Sequence, residues 1–364
     1  MTARLTVGLL YGGCSAEHNI SIKSATAIYE NLDQARFSVM PIWISHAGEW
    51  FHAAPELPEQ DKFLQPRVTL LPQPNGGQLF DATNLQVLAK LDLVFPMVHG
   101  TNGEDGTLQG LLELAKIPYV GSGVMAMAIC MDKVTSKRIF RDAGLPVVPF
   151  VAVTQSQWEA HAVNVIAACE KKLNYPWFIK PVNLGSSIGI VKVNGPAEVA
   201  DAIEQAFSYD DHVIIEQGVE HSRDIEVSVM GNSAVQASGP GEIISPGEFY
   251  DFDAKYVSAE TQLKVPADLP AFLSKKMAHL AVQAFEATGC TGYARVDFLL
   301  CDTDQEVFVS EINTIPGFTS ISLFPRLWAE QGISFTELCT QLIDLALEES
   351  QRQQQKQTSL NISD

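Results

Sequence analysis

Three oxygen-bearing residues near the end of the chain, Asp297, Glu311 and Asn313, with Arg295 beside them, are of the types and spacing that hold a cation. They lie in two stretches of β-forming composition, Gly292–Leu300 and Glu306–Ile312, with the polar run CDTDQ (301–305) between them, which reads as a hairpin. Side chains alternate along a strand, so Arg295 and Asp297 share one face, as do Glu311 and Asn313. A turn centred near Thr303–Asp304 would set Asp297 opposite Glu311 and Arg295 opposite Asn313. Two facing carboxylates repel unless positive charge lies between them. A hard divalent cation on oxygen ligands meets that need, and Asn313 offers a neutral oxygen. Magnesium held by two or three protein oxygens usually shares its shell with nucleotide phosphates, so the hairpin points to phosphoryl chemistry. The alternative is a surface hairpin whose acids are merely solvated.

The elements that must carry this hairpin read as follows. Leu5–Tyr11 is an apolar strand leading through Gly12-Gly13 into a helix from about Ala16 to Leu32. Ser38–Ile44 and Asp92–Val98 are further strands, separated by a loop-like region at 55–77. This alternation implies a parallel α/β layer with ligands at the strand C-termini. Two loops there are polar, GGCSAE (12–17) and HGTNGEDG (99–106). The first also reads as a plain helix start capped by Ser15, with Glu17 favouring the dipole. Residues 104–131 are helical in composition, broken by a short strand at 117–120. Asp132 suits an N-cap for a helix ending at Gly144. Strand, helix, strand, strand, helix, strand over 149–216 form an α+β unit with an antiparallel sheet. Within it, the loop Lys180–Gly189 (KPVNLGSSIG) could cradle an anion on its amides, although it is not a GxxxxGK[ST] loop and a flexible hairpin loop is the alternative. DIEVSVMG (224–231) is another strand. The aromatic-rich segment 245–262 reads as an ordered Ω-loop over a site. A helix at 269–288 leads into the hairpin, a C-terminal helix spans 335–347, and the Gln-rich tail 349–364 is expected to fray.

At 364 residues two or three domains are expected. The net charge of −19 argues against nucleic acid and anionic membranes as general partners, and requires any polyphosphate site to be locally basic. Six scattered cysteines without a CxxC suit reduced thiols and give no thiolate metal site. There is no signal-peptide layout, and the apolar run 124–131 is too short to span a bilayer, so a cytoplasmic location is expected.

Together these motifs resemble the D-alanine–D-alanine ligase family of the ATP-grasp superfamily. The carriers are GGCSAEHNIS (12–21), FPMVHGTNGEDGTLQG (95–110), MDKVTSK (131–137), IKPVNLGSSIGI (179–190), VIIEQ (213–217), FYDFDAKY (249–256), GYARVDF (292–298) and SEINTIPGFTSIS (310–322). The resemblance implies a three-domain ATP-grasp fold of mixed α/β and α+β class. Its parts are an N-terminal parallel α/β domain (1–100), a central antiparallel-sheet lid domain (101–219), a C-terminal α+β domain (220–348) and a flexible tail (349–364). It also implies ligation of two D-alanines through a D-alanyl phosphate, at the expense of ATP, for peptidoglycan.

By the same resemblance Asp297, Glu311 and Asn313 hold two magnesium ions, which manganese could replace. Lys133, Lys180, Ser187 and Lys255 contact ATP; Glu216, Gln217 and Val219 flank adenine; and Asp224 meets the ribose, where many members carry Glu. Glu17 receives the first D-alanine's ammonium and links through Ser186 to Tyr256, with His99 beside the same amino acid. Arg295 and the Gly317 amide face the tetrahedral oxyanion. Ser322, the Leu323 amide and Lys255 take the second D-alanine's carboxylate. Tyr256, where depsipeptide-forming members usually carry histidine, favours an amine over D-lactate as nucleophile. The family is usually dimeric. Alternatives are a D-alanine–D-lactate ligase, another ATP-grasp ligase such as a glutathione-synthetase-like enzyme, and a nucleotide-binding protein without turnover.

Overall fold

The computed structural model describes residues 4–73, 76–245 and 261–356. Four sheets organise them. The first contains β1 (Leu5–Gly12), β2 (Phe37–Ile44), β3 (Trp50–His52) and, further along the chain, β7 (Leu93–Met97), in the order β3-β2-β1-β7. β1 pairs in parallel with both β2 and β7. Its run LTVGLLYG is buried from Val7 onward, as expected for a strand covered on both faces. Chain direction switches across β1, so the loops after β1 and β7 open side by side and create a crevice at the sheet's C-terminal edge. Gly12 permits this turn: its φ is +92°, and a Cβ there would lie 2.2 Å from the Ile44 carbonyl oxygen. The region 55–77, expected as loop, holds a helical turn (Glu59–Lys62) and β4 (Val68–Leu70). β4 joins β5 (Gln78–Asp81) and β6 (Val87–Lys90) in a small antiparallel sheet. These strands are too short to show alternation in sequence.

The third sheet is the expected antiparallel unit. β8 (Phe150–Thr154), β9 (Trp177–Pro181), β10 (Val191–Val193) and β11 (His212–Gln217) run in the order β10-β9-β11-β8. Trp177, Ile179, Val213 and Ile215 pack there against Val199 and Ile203 of the helix Val199–Phe207. The fourth sheet comprises β12 (Ser222–Gly231), β13 (Gln236–Ile244), β14 (Gln262–Lys264), β15 (Gly292–Cys301) and β16 (Val307–Asn313), ordered β14-β13-β12-β15-β16. Its inner face, including Val227, Val296 and Phe298, packs on Met277, Ala281 and Phe285 of the helix Ala271–Ala287. The same core takes in Ala126, Cys130 and Phe140, so the helices Val124–Met131 and Lys133–Asp142 lie against this sheet.

Several expectations are corrected. The strand expected at 117–120 is only an isolated bridge, Val94 to Tyr119. The helical stretch 104–131 is two helices, Thr107–Leu114 and Val124–Met131. The C-terminal helix continues from Phe335 to Gln354, into the first part of the expected tail, begun by a Ser334/Glu337 capping box. The bulk of the Ω-loop expectation, with Lys255 and Tyr256, lies outside the described residues. Asp132 does cap its helix, accepting the Thr135 N–H at 2.7 Å. Among the described residues no helix is long and apolar enough to cross a membrane.

Candidate active site

The hairpin adopts the expected register: Asp297 opposes Glu311 and Arg295 opposes Asn313. The neighbouring strand extends the pattern, since Glu226 on β12 opposes Asp297. Three carboxylates, Glu226, Asp297 and Glu311, thus stand abreast on one face of three strands. Such a row is self-repelling, and the structure places a guanidinium against it. Arg295 donates twice to Asp297, at 2.7 Å each, and its Nε lies 3.1 Å from Glu226. The positive group at Asp297 is therefore the arginine two residues away. Sequence reasoning had assigned that place to a metal alone. Within the row itself, three carboxylates thus face one guanidinium. Beside it, the buried Asn313 Oδ1 has no hydrogen-bond partner among the described residues. An unsatisfied buried oxygen next to surplus carboxylate is a donor set that fits a hard cation. Among the described residues, His18, His46 and Glu59 also bring candidate ligand atoms within 4.8 Å of one another. Their geometry is poor for chelation: the two rings stack at 3.8 Å, and His18 Nδ1 is spent on the Gly13 carbonyl.

A cavity of about 330 Å³ opens beside the acid row. Ten of the residues expected from sequence line it: Glu17, His99, Lys133, Ser186, Arg295, Glu311, Asn313, Gly317, Ser322 and Leu323. The helix His18–Asn31 supports one wall. Its buried face carries Ser21 and Ser24 among Ala25 and Ile28, which is unusual because serine favours caps over helix interiors. Here both hydroxyls hold site loops. Ser21 accepts the Gly12 N–H at 2.7 Å, and Ser24 accepts the Phe318 N–H at 3.1 Å. His99 Nδ1 bonds the Ile315 carbonyl at 2.8 Å, which fixes the proton on that nitrogen and turns Nε2 toward the Ser24 hydroxyl, 3.5 Å away. Burial keeps the His99 ring neutral, with Arg295 acting in the same direction and Glu17 opposing it.

Glu104 had no assigned role in the sequence reading. It is half-buried in the cavity wall, accepting the Gly100 N–H at 2.7 Å and the Ile315 N–H at 3.0 Å. Burial, reinforced by Glu17, raises its carboxyl to about 8. The two amides oppose that rise. Glu17 itself reaches both loops: a Cβ at Gly100 would lie 2.9 Å, and one at Gly185 3.7 Å, from its Oε2. The second loop carries Ser186 and Ser187, both held at positive φ (+54° and +57°). Left-handed serines cost on the order of 1–2 kcal/mol each, so the surrounding contacts must impose this shape.

Behind the cavity sits a second charged group. Glu216 is buried between Lys180, at 2.7 Å, and Lys137, at 3.1 Å. Burial alone would raise this carboxyl, but the two ammoniums outweigh it and hold Glu216 at about 2. Burial also opposes the charge on each lysine. Glu216 overcomes it at Lys180, whose pKa is raised, and fails to at Lys137, whose pKa is lowered. Both lysines feel the charge of Glu311, which links this cluster to the acid row. Lys137 Nζ also donates to the Ser310 carbonyl at 3.0 Å, beside a bulge between Asp297 and Phe298. Lys133 Nζ donates to the Leu184 carbonyl at 2.5 Å, holding the base of the serine loop.

The expected adenine edge is partly committed within the protein. Gln217 N–H donates to the Pro149 carbonyl and Gly218 N–H to the Pro176 carbonyl. Asp224 lies on β12 between Ile243 and Leu299. Lys137 and Glu226, like Glu104, were missed as site residues. Their signals were present: Lys137 follows Lys133 at helical spacing, and Glu226 follows Asp224 on one strand face.

Models of the D-ala D-ala ligase N-terminus and C-terminus match residues 6–122 and 139–344. The chain belongs to the D-alanine–D-alanine ligase family. It is 42% identical to the D-alanine–D-alanine ligase of Natranaerobius thermophilus over 364 residues, 99% of this chain and 100% of that one. It is 44% identical to D-alanine–D-alanine ligase A of Escherichia coli K12, covering 95% and 96%. Among solved structures it resembles the D-alanine–D-alanine ligase of Coxiella burnetii, with a TM-score of 0.85, 36% identity and 96% of each chain covered. It likewise resembles the VanG D-Ala:D-Ser ligase of Enterococcus faecalis, with a TM-score of 0.85, 34% identity, and 94% and 100% covered. The fold is the ATP-grasp fold of this ligase family.

Proposed function

We propose that this protein joins two D-alanine molecules into D-alanyl-D-alanine, using ATP, for bacterial cell-wall synthesis. The observation that carries the reading is the cavity itself. One wall bears Glu226 and Glu311 of the acid row with Arg295 and Asn313, and another bears Glu17, His99 and Glu104. A reaction between two amino acids and a triphosphate needs both: carboxylates for an ammonium on one wall, and on the other Arg295 and oxygens that would hold a cation against crowded anions.

In this reading Glu17 receives the first D-alanine's ammonium, with His99 alongside. The first D-alanine's carboxylate attacks the γ-phosphorus of ATP, ADP leaves, and D-alanyl phosphate forms. The second D-alanine, its carboxylate held by Ser322, the Leu323 amide and Lys255, attacks the acyl carbon through its amine. Arg295 and the Gly317 N–H stabilise the oxyanion that develops there, and phosphate leaves. Asp297, Glu311 and Asn313 would hold magnesium, as two ions that manganese could replace; when bound it neutralises the phosphates. Lys133, Lys180 and Ser187 bind phosphate and the adenine side. Glu216, Gln217 and Val219 border the base, and Asp224 meets the ribose. Ser186 links Glu17 to Tyr256. Holding both reactants in register is worth on the order of 7–11 kcal/mol in well-oriented cases.

The chain divides near residues 100, 219 and 348, with β8–β11 as the lid that keeps water from the acyl phosphate. We place the protein in the cytoplasm as a homodimer. The test is product identification by mass spectrometry after incubation with ATP, magnesium and D-alanine, alone and with D-lactate or D-serine added. D-alanyl-D-alanine as the main product supports the reading; a depsipeptide or D-alanyl-D-serine as the main product at neutral pH overturns the acceptor assignment.

A further inference from the structure

The wall built from Glu17, His99 and Glu104 holds one more carboxyl group than a single ammonium acceptor needs. Glu104 does not behave as a spare surface acid. Its Oε2 takes the Gly100 N–H and its Oε1 the Ile315 N–H, so one carboxyl spans the loops 99–106 and 313–317. His99 grips the same residue from the other side, through the Ile315 carbonyl. The loop that presents Asn313 and Gly317 is thereby fixed to the loop beside Glu17.

Two accepted N–H bonds favour the carboxylate form. Burial and the facing Glu17 favour the neutral form, and the balance falls at about 8. The charged and titratable groups around it are Glu17 at the start of the helix His18–Asn31, His99 on its own loop, and Arg295 on β15. The Tyr293 hydroxyl and the Cys130 thiol also feel its charge. A group so balanced responds strongly to a new charge nearby, whereas an ordinary surface acid is already ionised.

We propose that Glu104 is a proton-linked positioning residue of the first amino-acid subsite: arrival of the substrate ammonium beside Glu17 expels its proton to solvent, and the resulting carboxylate tightens its hold on the Gly100 and Ile315 amides. The inference rests on the ligase reading for the ammonium at Glu17. The balance is simple. The ammonium arrives already protonated, one O–H bond of Glu104 breaks, and the buffer takes the proton.

The test is calorimetric titration of D-alanine into the full chain near pH 7, with magnesium and a non-hydrolysable ATP analogue, in two buffers of contrasting protonation enthalpy. The expected result is that the wild type releases about one more proton than Glu104→Gln, the excess fading above about pH 9. Steady-state kinetics should show a first-site KM for D-alanine raised about tenfold in Glu104→Gln, with the KM for ATP unchanged. A purely structural role would lower the melting temperature without altering the proton count. D-alanine binding to the wild type with no proton released near pH 7 overturns the inference whether or not the variant folds, and leaves the ligase reading intact. No D-alanine binding at all would instead break the ligase reading.

Discussion

Two glutamates in this molecule, Glu216 buried and Glu104 half-buried, are tuned in opposite directions. Glu216, between Lys137 and Lys180, is held at about 2, whereas Glu104, beside Glu17, is lifted to about 8. Burial acts the same way on both, so the difference comes from the neighbours. The Glu216 region is charged in advance and carries one more cation than anion, which suits a polyphosphate. The Glu104 region carries more acid than base, which suits an incoming ammonium. A chain with a net charge of −19 can still offer a polyphosphate a locally basic surface, because Lys137 and Lys180 are held together at Glu216.

The severest way to break this contrast is to remove the group between the two regions. Glu311→Gln should lower D-alanine-dependent ADP formation by at least about 100-fold while the circular-dichroism spectrum and melting transition stay close to wild type. Near-normal turnover would show that no cation is held there. Lys137→Ala should destabilise the fold by on the order of 3–5 kcal/mol in denaturant titration, because it leaves Glu216 buried with one partner removed. A change below about 1 kcal/mol would mean that Glu216 does not depend on the pair. Lys180→Ala should chiefly weaken ATP binding, raising its KM about tenfold or more. An unchanged value would separate the lysine cluster from the nucleotide.

The pH dependence sharpens the comparison with a smaller effect. Glu104 has a raised value in the folded state, so between about 4.5 and about 8 the native protein binds more protons than the unfolded chain, and stability falls as pH rises through that window. Glu216 has a lowered value, so its contribution is present above about 4.5 and is lost as pH falls toward about 2. Denaturant titrations across pH should show both slopes, and Glu104→Gln should flatten only the upper one. A slope above pH 4.5 that is identical in wild type and variant would show that Glu104 ionises normally.

Local chemistry made much of this legible in the sequence. Strand alternation about a five-residue turn set Asp297 against Glu311, a pairing the structure reaches through the bulge at Ser310, and the Asp132 cap followed from side-chain type. Partners fixed only by tertiary packing stayed hidden. Glu226 joins the acid row through strand pairing across sequence, and Glu104 meets Ile315 through 211 residues of separation. β13 went unread because QASGPGEII breaks the usual strand composition with two glycines and a proline. The arginine at Asp297 is the most instructive miss. Both residues were named, and only the geometry shows that they neutralise each other directly.

The most direct measurement is a crystal structure of the protein with magnesium and a non-hydrolysable ATP analogue. The expected density shows the terminal phosphates between Lys180 and the acid row, with cations on the oxygens of Asp297, Glu311 and Asn313. A triphosphate bound elsewhere, with those three side chains facing bulk solvent and free of metal, would contradict the assignment of this cavity as the ligation site.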